Sequence, residues 1–172
     1  MNIKDSIEYK AIQEFFGDGK AKRSQIPFMN HIDEGLAILE RIDASDRAKR
    51  AFCIHPIAQS YNDVSFSDVE ELAKEYTYFA NKFLCTPETD HIRTVEALGN
   101  HLFRDIDYLM SEDCRDMLIA DKEQNQKDFI IHHYGTHPRY VELGDYFNLW
   151  LVFLKNFRKL KFSYCITKRN AL

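Results

Sequence analysis

The chain has 172 residues, 45% of them hydrophobic and 29% charged, which suits one domain with a buried core and excludes a disordered polypeptide. A net charge of −4 supplies no global basic excess of the kind that binds a nucleic-acid backbone or an acidic membrane surface. Only 6 glycines and 4 prolines accompany 13 phenylalanines and 9 tyrosines, so turns are few and the elements between them long, which favours helices.

The spacing of Ile7, Ala11, Ile12, Phe15 and Phe16 predicts a first helix from Lys4 to Phe16, stopped by Gly17 and Gly19. Residues 18–28 are polar and basic, carry Lys20, Lys22 and Arg23, and close at Pro27: a loop. A second helix is expected from Asn30 to Ile42, burying Ile32, Leu36 and Leu39. Ser45 can cap a third helix reaching Ala58, although Pro56 lacks a backbone donor and should kink that helix or end it early. Ser67 followed by Glu70 is a capping-box pattern and opens a fourth helix to Phe83. Further helices are expected from His91 to Met110, from Glu112 to His132, and, after the break at Gly135 and Pro138, from Val141 to Leu160. The aromatic stripe of that last helix, Tyr146, Phe147, Trp150, Phe153, Leu154 and Phe157, reads as core or oligomer contact. A basic tail, 161–172, follows and can be flexible. The expectation is therefore all-α, a single-domain bundle of about six to seven helices over 1–172.

The N-terminal residues are polar and do not read as a signal peptide, and the longest strictly apolar run, Leu149 to Leu154, is too short to cross a bilayer. A cytoplasmic location without a membrane partner is expected. Cys53, Cys85, Cys114 and Cys165 form no CxxC pair, which argues against a zinc ribbon or disulfide scaffold, and Cys53 and Cys85 read as core thiols. His132, His133 and His137 cluster around Gly135 and Pro138, where the chain breaks, so they read as loop residues and not as a helical chelate.

The chemistry rests on His31, His55 and Asp121, each at the edge of an apolar stretch in a separate helix. A titratable group so placed must be paired, hydrogen-bonded or metal-bound to offset desolvation. Two imidazoles and one carboxylate can hold a divalent first-row ion (Mn, Fe, Co or Zn) with positions left open. Equally, the three can hydrogen-bond one another in a metal-free core. Periodicity alone does not bring them together.

Three motifs in order do carry a resemblance: Arg23-Ser-Gln-Ile-Pro27-Phe-Met-Asn30-His31, then Ala51-Phe-Cys-Ile-His55, then Leu118-Ile-Ala120-Asp121-Lys122-Glu-Gln-Asn125. Over about residues 20 to 130 they resemble the alarmone (ppGpp) hydrolase branch of the HD superfamily. The resemblance implies an HD-like helical fold, with His31, His55 and Asp121 as metal positions. It also implies phosphate or nucleotide contacts from Lys22, Arg23, Lys122 and Asn125. Two departures stand out. The His-Asp pair of the family is here His55-Pro56, and its Glu-Asp pair for water activation is here Gln59-Ser60. Asp63 is the one nearby carboxylate downstream. The resemblance thus implies a phosphorylated-nucleotide pocket with weak or altered metal-dependent phosphohydrolase activity. Alternatives are an inactive nucleotide sensor and an interaction protein that uses only the fold; enzyme status stays open.

Overall fold

The first helix proper begins where Ser6 Oγ accepts the backbone N–H of Tyr9 at 3.2 Å, satisfying one of the donors left free at the helix start. A computed structural model describes residues 2–22, 24–60, 68–82 and 110–169, the side chains of Lys82 and of residues 157–169 excepted. Among these residues all regular structure is helical apart from one isolated antiparallel bridge between Lys20 and Pro27.

A 3-10 turn at Ile3–Asp5 precedes α1 (Ile7–Phe16), so the expected helix from Lys4 is divided at its cap. α1 buries Tyr9 and Ile12, together with Glu8, which is held by Arg50. Ile12 is buried as expected, but Ile7 and Phe15 do not share in the core as the spacing suggested; they are 68% and 40% exposed, while Tyr9 faces inward. Gly17 ends the helix at a φ of +48°, a conformation open to glycine, with its N–H donating to Gln13.

The basic loop then doubles back through Ala21 N–H to Ile26 O and Phe28 N–H to Gly19 O, both 2.9 Å, and delivers α2 (Met29–Arg41). Ile32, Leu36 and Leu39 are buried on it as expected. Ser45 Oγ caps α3 (Asp46–Ser60) through Ala48 N–H at 2.9 Å. Pro56 does not end that helix early. α3 runs on to Ser60, whose hydroxyl donates back to the Pro56 carbonyl at 2.8 Å.

α4 (Glu70–Lys82) buries Leu72, Ala73, Tyr76, Phe79 and Ala80, an i, i+3, i+4 stripe. Ser67 of the capping box, Asp63, Cys85 and nearly all of the helix expected from His91 lie outside the described residues. α5 (Glu112–His132) has the bounds expected from the sequence, with Ser111 Oγ capping Cys114 N–H and Glu75 of α4 gripping both polar groups of that serine. α6 (Tyr140–Arg169) is longer than expected and takes in residues 161–169 of the basic tail. Its Tyr146, Trp150, Phe153 and Leu154 are buried in the core. Cys53 and Cys114 are fully buried free thiols; burial pushes Cys53 up to about 12.

α3 and α5 are the centre of the bundle. α3 packs on α1, α2 and α4, and α5 packs on α2, α3, α4 and α6. The approach of α2 to α3 depends on Gly35: a Cβ there would stand 2.2 Å from the Phe52 ring. Gly35 lies one turn after His31, and Phe52 one turn before Pro56. The same contact therefore brings the two histidine-bearing helices together.

Candidate metal centre

His31 on α2, His55 on α3 and Asp121 on α5 converge. One ligand atom from each lies within 4.8 Å of the others. His31 Nε2 is 3.3 Å from His55 Nε2 and 3.6 Å from Asp121 Oδ1. A divalent ion bound at about 2.0–2.2 Å sets adjacent ligands roughly 3.0–3.6 Å apart in octahedral or tetrahedral geometry, a range that the two separations from His31 match.

The outer ring nitrogens explain why the inner ones are free to ligate. Gln124 donates its amide Nε2 to Asp128 Oδ2 at 2.7 Å and to Glu34 Oε2 at 3.3 Å, acceptors that leave its Oε1 facing His31. That oxygen lies 2.6 Å from His31 Nδ1, which must carry the proton. Nε2 then presents a lone pair inward.

His55 reaches the same state by another route. In an α-helix the Phe52 carbonyl would accept the N–H of residue 56, but residue 56 is proline. His55 Nδ1 takes the vacated acceptor at 2.7 Å. Proline at this position thus fixes the tautomer of the histidine before it. Two lone pairs pointed at each other across 3.3 Å repel unless a cation or a proton lies between them.

Charge at the centre is equally arranged. Burial, with His31 close by, pushes the His55 imidazole down to about 3, so it is neutral near pH 7. Burial would raise the Asp121 carboxyl, but Lys122 above all, then His31 and His55, holds it down at about 2. Lys122 Nζ lies 3.0 Å from Asp121 Oδ2 and 5.6 Å from the centroids of both Tyr146 and Trp150. Burial works against its charge, and Asp121 outweighs burial and keeps it an ammonium. Asp121 Oδ1, the oxygen nearest His31, accepts Asn125 Nδ2 at 2.7 Å. Tyr76 closes the back of the site, its ring centroid 4.7 Å from that of His55 and its hydroxyl pushed well above its usual range by burial and by Asp121.

The three residues open onto a cavity of about 350 Å³. Phe16, Ile26, Pro27 and Phe28 form its apolar wall, while Gln59, Asn125 and Asp128 are polar groups opposite. Comparison of the chain with protein-family models, with curated proteins and with solved structures gives no match.

Of the described residues expected to hold phosphate, only Asn125 lines the cavity. Lys122 does not: it is 5% exposed and spent on Asp121 beneath the Tyr146 and Trp150 rings. Lys22 is exposed on the loop and outside the lining, and Arg23 lies outside the described residues. Pro56 and Gln59 do line the cavity, whereas the Ser60 hydroxyl turns back onto α3. His132, His133 and His137 are absent from the lining; the helix stops at His132, and His137 Nδ1 accepts the Arg139 N–H at 3.1 Å.

Gln124, Asp128, Tyr76 and Gly35 were missed from the sequence. The signal for Gln124 and Asp128 was helical phase: they follow Asp121 by three and seven residues and share its face of α5. Gly35 likewise follows His31 by four.

Proposed function

We propose that this chain is an HD-type metal-dependent nucleotide-pocket protein, in which a divalent ion on His31, His55 and Asp121 binds a phosphorylated nucleotide and hydrolyses it weakly. The carrying observation is the convergence of two Nε2 lone pairs and one carboxylate oxygen at the floor of a 350 Å³ cavity. The ion would polarise a phosphoryl oxygen or lower the pKa of a bound water. This chain's residues supply the rest. Gln124 and the Phe52 carbonyl hold the imidazoles in their ligating tautomers, Lys122 keeps Asp121 ionised, and Asn125 restrains its inner oxygen. Phe28, 42% exposed on the apolar wall, is suited to stack on a base.

Weak turnover follows from α3. Pro56 and Gln59 line the cavity where the resembled family places carboxylates, and neither can take a proton from water. Loss of such a group commonly costs on the order of 10² to 10⁴ in rate, whereas ground-state binding is less affected. The same observation favours a second reading, a nucleotide sensor that does not turn over.

Metal content of the purified chain, compared with His31→Ala and Asp121→Asn, tests the centre. Bound metal in the wild type that both variants lose is expected; equal content in all three refutes the metal reading. A nucleotide panel read by both mass change and thermal shift then separates slow conversion from stabilisation without conversion.

A further inference from the structure

Among its described lining residues the cavity carries an acid, where a polyphosphate pocket would carry bases. Asp128 lies seven residues after Asp121, two turns along the same face of α5 and about 10 Å further along the helix axis. It lines the cavity. Its Oδ1 is buried beside Lys127 Nζ at 3.1 Å, which leaves Oδ2, the acceptor of Gln124 Nε2, as the oxygen on the open side. That oxygen keeps a second lone pair for another donor.

No lysine or arginine is among the described residues that line the cavity. Lys122 is committed to Asp121, and Lys127 is shared between Glu34 and Asp128. Together these five groups leave one net negative charge, which a divalent ion on the histidines and Asp121 converts to one net positive. All of that positive charge sits at the metal end. At the other end a second phosphate would meet a carboxylate, a juxtaposition that disfavours the wrong ligand strongly.

Resting on the metal-and-nucleotide reading above, we infer that the cavity selects nucleotides with a single phosphoryl group, Asp128 rejecting a second anion and accepting hydrogen bonds from neutral donors such as ribose hydroxyls. The phosphoryl group sits at the metal, and the sugar spans the distance to Asp128. The apolar wall of Ile26, Pro27 and Phe28 takes the base.

The test uses the full chain loaded with Mn2+, titrated calorimetrically with adenosine and guanosine 5′-monophosphates and with the 3′,5′-bisphosphates of the same nucleosides. A monophosphate is expected to bind at least about tenfold more tightly than its bisphosphate, and Asp128→Asn to shrink that ratio to about one. Bisphosphates that bind the wild type as tightly as monophosphates overturn the selection while leaving the nucleotide pocket standing. A preference that survives Asp128→Asn overturns the role of Asp128. Absence of binding by either class overturns the nucleotide reading and this inference with it. The wild-type comparison stands even if the variant fails to fold.

Discussion

Replacing Gly35 with alanine adds one methyl group at the point where α2 crosses α3. That carbon would stand 2.2 Å from Phe52 Cε1 and 2.3 Å from Cζ, where ordinary contact begins near 3.4 Å. Phe52 has no room to yield. It is fully buried, with ring centroids 4.7 Å from His55 and 5.7 Å from His31. An overlap above 1 Å against such a ring belongs at the upper end of overpacking penalties, about 3 kcal/mol. Alanine recovers about 1 kcal/mol of helix propensity. The expected net loss is therefore about 2 kcal/mol, measured by urea unfolding followed through the buried Trp150. Because relief requires the helices to part, affinity for Mn2+ should fall as well. Ala37→Gly, on the exposed side of the same helix, is the control: about 1 kcal/mol lost and metal affinity unchanged. A Gly35→Ala chain as stable as the wild type, with full metal affinity, would refute the close approach.

Lys122→Met should destabilise the chain by about 3–5 kcal/mol at pH 7, since it strands the Asp121 carboxylate in the core. Adding Asp121→Asn should restore most of that loss in the same urea assay, and a cost below about 1 kcal/mol for the single variant would contradict the buried pair. Without metal, stability should fall on acidification. His55 has its pKa lowered from 6.5 to about 3, so its contribution is complete above pH 6.5 and is lost as pH drops toward 3. By pH 5 the loss is about 2 kcal/mol. Asp121, lowered from 3.8 to about 2, adds a further loss of about 2 kcal/mol below pH 4. Urea midpoints for wild type and His55→Gln between pH 7.5 and 4.5 check this, the variant losing the upper slope.

Sequence periodicity was enough for the bundle wherever a helix has a clear apolar stripe and a capping residue. Ser45 and the Gly135–Pro138 break mark element ends by local chemistry, and α5 has the bounds expected. Ile7 and Phe15 failed the same reasoning because α1 turns Glu8 inward against Arg50, a tertiary pairing no short-range pattern encodes. At the site, the convergence of His31, His55 and Asp121 was legible through the order of the resembled motifs and not through periodicity. Lys122 was misjudged, since a lysine beside an aspartate looks identical whether it faces a ligand or an aromatic cage. The cage comes from Tyr146 and Trp150, more than twenty residues away. Gln124 was overlooked for a related reason: an amide acquires its meaning only from the acceptors around it, here Glu34 and Asp128.

Proline at residue 56 acts on the histidine before it. Any other amino acid there, an aspartate included, would bring back a backbone hydrogen that competes with His55 for the Phe52 oxygen. A carboxylate could be placed beside the imidazole only by slackening the imidazole itself. The position behaves like a latch, and adding an acid there would take a compensating change elsewhere along α3.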